Sequence, residues 1–360
     1  MKKICFLNGD MSRTGGTERV TAMIANELSK NPQYEIHVLS VTNEQMISFF
    51  ELDLSVYHTS VLRNPTVNLK RDYFKVVSGI RQYLKQYEID ILIEVDVICN
   101  LYTIPATRFM KTKIISWEHF NYYSNNGSKL RDISRKLTKY FSSHIVTLTE
   151  QDRKNYIENL NLSDKVTCIY NPIQTIETQP YHAHSKQILS VGRLTYQKGF
   201  DMLCEVAKEV LFQNPDWTWL IIGEGEDRPM IEQKIKQYQL EGRLILTGAQ
   251  KEVDKYYRNS SLYVMTSRYE GLPMTLLEAK SYQLPIVSFD CQTGPSEIVE
   301  NGINGYLVEL NNCKEMTKIL NMVLNNVSLL KGFSQQSKNN IHNFELGEVI
   351  NKWEEIINQL

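Results

Sequence analysis

Short β-rich runs alternate with helically spaced apolar residues from one end of this 360-residue chain to the other. Such alternation predicts parallel sheets built from βαβ units, hence an α/β class. In the first half, strands are expected near Lys3–Asn8, Tyr34–Ser40, Ile89–Ile93, Lys113–Trp117, Ile145–Leu148 and Val166–Tyr170. Helices fall between them, notably Gly16–Lys30, with Val20, Met23, Ile24 and Leu28 on one face. Residues 171–180 carry two prolines and little apolar content, which marks a linker. The pattern then restarts, with strands near Gln187–Val191, Trp217–Ile222, Leu244–Leu246, Leu262–Met265, Pro285–Phe289 and Tyr306–Val308, and a helix over Gly199–Phe212. Two Rossmann-like doubly wound domains facing each other across a cleft are therefore expected. They span residues 1–172 and 173–342, with ligand sites at the carboxyl ends of the strands.

Length supports two domains, since one core rarely serves so many residues. A charged fraction of 22% with 42% hydrophobic residues excludes a disordered chain. The greasiest run, Ile89–Ile104, is broken by Asp90, Glu94 and Asp96, so no membrane span is expected. Met1–Leu7 starts like a secretion signal but stops at Asn8-Gly9-Asp10 without a cleavage site, and reads as a first buried strand. Six cysteines are scattered without metal-ligand or disulfide spacing, which fits a cytoplasmic protein.

The net charge of −1 hides an asymmetry. Residues 1–175 hold 22 Lys and Arg against 18 Asp and Glu, a balance of +4, which leaves −5 for the remainder. Two basic amphipathic helices supply much of the excess. Lys129–Phe141 places Leu130, Ile133, Leu137 and Phe141 at helical spacing among five cations, including Arg135 and Lys136. Leu69–Tyr87 repeats the theme with Tyr73, Val76, Ile80, Leu84 and Tyr87, surrounded by Lys70, Arg71, Lys75, Arg81 and Lys85. Either these helices face the core with solvated cationic backs, or they attach peripherally to an anionic inner membrane leaflet.

Three segments carry chemistry. In Ser267–Ala279 a loop leaves a strand and enters a helix expected to begin at Leu272 or Pro273, because Pro suits a first helical turn. Backbone N–H groups there, with the positive end of the helix dipole, make a site for an anion such as diphosphate. Glu270 and Glu278 are eight residues apart, which suits a ligand with hydroxyls at both ends and phosphates between. In Ser190–Gly199, Arg193 can grip phosphate through paired N–H groups and Lys198 adds a compact charge. Asp290–Val299 is a further strand-end loop, capping a helix or lining a sugar pocket.

The order GRL-x3-KG, EGLP-x4-EA and GPSEIV-x2-G-x2-G-x-LV resembles the retaining glycosyltransferases of family 4, which have the GT-B fold. The likeness is close from Ile188 to Val308 and looser before it, where Thr14-Gly15-Gly16-Thr17-Glu18-Arg19 is similar to the family's Gly-rich turn and Trp117–Asn121 to its histidine-bearing loop. The resemblance implies that Arg193 and Lys198, beside Gly192, hold the donor diphosphate, that Glu278 binds ribose and that Glu270 contacts the donor sugar. Backbone amides of Gly271, Leu272, Met274 and Thr275 would meet sugar and phosphate, whereas Pro273 offers none. Gly15 and Gly16 would let backbone approach phosphate or acceptor, and His119 would sit by the reacting sugar. The final segment, Phe344–Leu360 within residues 343–360, resembles the family's terminal helix that crosses back to the first domain. A nicotinamide fingerprint is absent between Asn8 and Gly16.

No pair of Asp residues flanks a single residue near a strand end, so metal-free stabilisation of the leaving group is expected, with no cofactor. The resemblance extends to bacterial capsule, exopolysaccharide and lipopolysaccharide enzymes, implying transfer of a hexosyl or N-acetylhexosaminyl group from UDP-Gal, UDP-Glc or UDP-HexNAc to a glycan or lipid-linked oligosaccharide, with no nucleic-acid partner. The rivals are a GDP-mannose-dependent enzyme, a sugar-nucleotide epimerase or hydrolase, and a non-catalytic nucleotide-sugar-binding subunit.

Overall fold

The computed structural model describes residues 1–125, 127–173 and 181–360; most of the expected linker, residues 174–180, lies outside them. The chain divides into two compact units, Met1–Pro172 with Leu346–Leu360, and Ile173–Glu345. The second unit runs past the expected limit at 342 because Ile173 pairs with Glu345 in a parallel bridge and donates to the Phe344 carbonyl.

The first unit runs β1 (Lys2–Asn8), α1 (Gly16–Ser29), β2 (Tyr34–Thr42), β3 (Tyr57–Leu62), α2 (Leu69–Gln86), β4 (Ile91–Val95), α3 (Asn100–Thr107), β5 (Lys113–Trp117), α4 (Lys129–Phe141), β6 (His144–Thr147), α5 (Glu150–Leu160) and β7 (Val166–Cys168). Its sheet is parallel throughout, in the order β3-β2-β1-β4-β5-β6-β7. Order reverses between β1 and β4, so the loops after those strands flank the crevice where doubly wound sheets bind ligands. β3 has no counterpart among the expected strands. It is one of the two edge strands, largely half-exposed, and Tyr-His-Thr-Ser-Val-Leu lacks the apolar run of a central strand.

The second unit runs β8 (Gln187–Val191), α6 (Phe200–Gln213), β9 (Thr218–Ile222), α7 (Arg228–Gln237), β10 (Leu244–Gly248), α8 (Asp254–Arg258), β11 (Leu262–Met265), α9 (Met274–Ser281), β12 (Ile286–Asp290), α10 (Pro295–Ile298), β13 (Gly305–Glu309), α11 (Cys313–Leu324) and α12 (Val327–Gln336). Its parallel order, β10-β9-β8-β11-β12-β13, reverses between β8 and β11. Those are the strands that lead into the Arg193 and Glu270 loops. The closing helix, α13 (Leu346–Gln359), packs on the first unit. Its buried Trp353 meets Phe6 and Trp117 edge-on, and Lys2 donates to the Ile357 carbonyl at 2.6 Å.

The two basic helices differ. α2 buries Val76, Ile80 and Leu84 and exposes Lys75 and Lys85; the Lys70 side chain lies outside the described residues. α4 is inverted relative to the core-facing expectation. Arg131, Ser134, Arg135 and Thr138 are buried, whereas Leu130, Ile133 and Phe141 are exposed. The reason is electrostatic: Arg131 pairs with Asp96, and Arg135 Nε lies 2.8 Å from Glu118 Oε2. Carboxylates inside the unit draw the guanidinium face inward, because a buried charge left without a partner costs far more than exposing a few apolar side chains.

Glu94 on β4 is fully buried and accepts from Thr103 and Ser116 hydroxyls. Burial raises its pKa to about 8. The folded state thus holds a proton that the unfolded chain releases above about pH 4, so this group costs stability as pH climbs from there to about 8. Glu94→Gln should remove that cost. Its melting-temperature advantage over the parent is expected to widen between pH 5 and 8, and a difference independent of pH would contradict the assignment.

Candidate active site

The second unit builds its site at the reversal point of the sheet. After β8 the chain passes Gly192 and the exposed Arg193, forms one 3-10 turn over Tyr196–Lys198 and enters α6. Gly199 joins turn to helix with φ +66°, and a Cβ there would run into the Thr266 carbonyl, so only glycine lets this loop press against the end of β11. Arg268 fixes the same approach from the other side. Its guanidinium grips Asp201 at 2.8 and 2.6 Å, donates to the Tyr196 carbonyl and lies over the Tyr196 ring. Burial acts against the Asp201 charge, but Arg268 holds this carboxyl below its ordinary pKa.

These contacts bring Lys198 to Glu270, with Nζ 2.6 Å from Oε1. Glu270 is buried, and its carbonyl accepts from the Thr293 hydroxyl at 2.7 Å. Gly271 and Leu272 follow, both buried. Pro273 is the residue before α9, not part of its first turn: its ψ is 104° and its carbonyl receives the Leu276 and Leu277 amides. The expected start at Leu272 or Pro273 is therefore early by one or two residues. Gly294, at φ +101°, packs where a Cβ would strike the Pro273 ring and the Gly271 carbonyl. Met274 and Thr275 open α9, and their N–H groups have no acceptor within the helix. Glu278 lies one turn along, half-buried, with Oε2 accepting from the Tyr257 hydroxyl at 2.7 Å. Two cations, two carboxylates and a helix N-terminus therefore share one pole of one sheet.

In the first unit Gly15 precedes α1 and Gly16 opens it, at the end of β1. A Cβ at Gly15 would meet the Glu18 carboxylate. His119 follows β5, its ring tilted against Trp117 at 4.2 Å. Burial lowers its pKa to about 3, so the ring is neutral at pH 7. Its Nε2 is buried with no hydrogen-bond partner among the described residues. The preceding Glu118 anchors the loop through Arg135, the Tyr156 hydroxyl at 2.7 Å and the Phe120 amide at 3.0 Å. Burial works against the Glu118 charge, yet Arg135 keeps its pKa below the ordinary value. Asp96, at the end of neighbouring β4 with φ +105°, pairs with Arg131.

Among the described residues no cluster of His, Cys, Asp and Glu forms a set of metal ligands, and no helix is long and apolar enough to cross a membrane.

A family model described as "Glycosyl transferases group 1" matches residues 174–340, and one described as "Glycosyltransferase Family 4" matches residues 14–177. An uncharacterized glycosyltransferase of Haemophilus influenzae is 32% identical over 99% of this chain and 100% of its own. The chain belongs to glycosyltransferase family 4. This glycosyltransferase is also 30% identical to the amylovoran biosynthesis glycosyltransferase AmsD of Erwinia amylovora, across 99% of this chain and 100% of that one. Its fold is GT-B. Anabaena HepE, crystallised with UDP and glucose, superposes with a TM-score of 0.82 at 16% identity over the full length of both chains.

Sequence reasoning missed the residues that hold this transferase's site in shape: Asp201 with Arg268, Thr293 and Tyr257. Each acts on a partner in another element or loop, 67, 23 and 21 residues away. Arg268 sat within a recognised motif, but nothing local shows that it braces Tyr196–Lys198 rather than a ligand.

Proposed function

We propose that the enzyme transfers a hexosyl or N-acetylhexosaminyl group, with retention and without a metal, from a UDP-sugar to a lipid-linked or growing bacterial surface polysaccharide. The observation that carries the donor half is the Lys198–Glu270 pair, with Arg193 on the same loop as Lys198 and α9 opening four residues after Glu270. A lysine set to meet phosphate and a carboxylate set to meet sugar hydroxyls stand together where helix amides converge. As the bond between the anomeric carbon and the diphosphate oxygen breaks, charge collects on the leaving phosphate, where Arg193, Lys198 and the amides of Met274 and Thr275 stabilise it. The acceptor oxygen bonds to the same face of the sugar, and its proton passes to the leaving phosphate oxygen. Glu270 takes donor-sugar hydroxyls and Glu278 the ribose. Neutral His119 offers a hydrogen bond without a competing positive charge.

UDP as the nucleotide draws support from the ligand of the HepE structure, and a surface polysaccharide from the amylovoran role in the name of AmsD. The test is a panel of UDP- and GDP-sugars, scored by nucleotide release with and without lipid-linked acceptors. Turnover with UDP-hexoses that needs acceptor supports the reading; GDP-mannose alone, or release without acceptor, removes it. Excess EDTA is expected to leave the rate within about twofold, against the hundredfold losses that follow removal of an essential charge stabiliser. Loss restored by Mn²⁺ would exclude the metal-free route.

The exposed face of α4 supports peripheral contact with an anionic leaflet. Ile133, Leu130 and Phe141 face outward with Lys129 and Lys136, an apolar stripe flanked by cations that matches acyl chains beneath acidic headgroups. Ile133→Glu combined with Lys136→Glu is expected to lower partitioning onto anionic vesicles at least about tenfold. Unchanged sedimentation would remove the contact.

A further inference from the structure

Among the described residues, one aromatic arrangement bears on the chemistry beyond holding the site in shape. Tyr257, on the short α8, is buried between two other tyrosines. Its ring stacks on Tyr282 at 5.2 Å with the planes 4° apart, and on Tyr263 at 5.9 Å with the planes 20° apart. Tyr263 is anchored in turn, because its hydroxyl bridges the Val191 N–H and carbonyl at 3.3 and 3.2 Å, one residue before Gly192. The stack holds the Tyr257 ring on both faces and aims its hydroxyl at Glu278 Oε2.

We infer that Tyr257 is a positioning residue that sets the Glu278 carboxylate for the two ribose hydroxyls of the donor nucleotide; the inference rests on the ribose assignment of Glu278 made above. A glutamate on a helix surface samples several rotamers and loses that freedom on gripping a ligand. A short phenol–carboxylate bond of 2.7 Å, charge-assisted and held by a rigid stack, removes most of the loss beforehand. A purely packing role would need the ring alone. Phenylalanine would serve it equally, yet the hydroxyl reaches the one carboxylate on the side of α9 that the nucleotide is expected to meet. The same stack ties the end of β8 to that carboxylate, so the phosphate-facing and ribose-facing ends of the site share one brace.

The experiment compares the full-length parent, Tyr257→Phe, Glu278→Gln and the double variant by calorimetric binding of UDP, of 2′,3′-dideoxy-UDP and, in parallel, of GDP. Phe keeps the stack, so the melting temperature should not change. Tyr257→Phe is expected to weaken UDP about three- to tenfold and to leave dideoxy-UDP within about twofold of the parent, since that ligand lacks the hydroxyls in question. The double variant should bind UDP no worse than Glu278→Gln, as two groups acting through one contact are not additive. If Glu278→Gln weakens UDP but Tyr257→Phe does not, or if Tyr257→Phe weakens both ligands equally, the positioning role is overturned and the ribose assignment stands. If Glu278→Gln binds UDP and GDP like the parent, or the parent binds neither, the ribose assignment falls and takes the inference with it.

Discussion

Replacing Lys198 by Ala is expected to lower kcat by about 10²–10³-fold, with an unchanged fold, and Arg193→Ala should fall in the same range. Both effects arise because the site must absorb a negative charge that exists in full only once the sugar has left. Without ligand, the Lys198 ammonium is neutralised by Glu270 at 2.6 Å, so donor binding has to draw it toward phosphate or share it between the two anions. Glu270→Gln should therefore tighten the binding of free UDP while slowing transfer, since it releases Lys198 and weakens the grip on the sugar. Single-turnover rates and UDP affinity measured on the three variants check this. Full activity in both Arg193→Ala and Lys198→Ala would end the diphosphate assignment.

The second large effect is on stability. Arg135 is buried to 1% exposure against a fully buried Glu118, and its remaining N–H groups reach the Ser124 carbonyl and Asp132. Arg135→Met leaves the Glu118 charge inside the unit with less to balance it, which costs about 3–5 kcal/mol and lowers the melting temperature by roughly 10 °C. Adding Glu118→Gln should recover part of the loss. A melting temperature within about 2 °C of the parent would show that the pair is not buried as described. Arg135 is consequently unsuitable for charge reversal at a membrane surface; Lys136, one residue on and exposed, is the residue to reverse.

The folding pattern was readable because parallel βαβ units write each buried strand as a compact apolar run. Lys113–Trp117, Gln187–Val191 and Leu262–Met265 lie where their composition places them. β3 escaped because an edge strand needs no such run. The motif residues were readable for a similar reason: Arg193 to Gly199 and Glu270 to Glu278 are contiguous, each at a strand end. What joins them is not contiguous. Lys198 and Glu270 stand 72 positions apart, and no local rule states that they touch. α4 was visible as a helix, but its orientation was not. Arg131, Ser134, Arg135 and Thr138 share the i, i+3, i+4, i+7 spacing of a buried stripe, and only Asp96 and Glu118, at the ends of β4 and β5, decide that this polar stripe faces inward.

A crystal structure of the enzyme with UDP tests the central claim most directly. The diphosphate is expected within hydrogen-bond reach of Arg193, Lys198 and the Met274 and Thr275 amides, with the ribose hydroxyls on Glu278. A nucleotide lodged away from the ends of β8 and β11 would contradict the account.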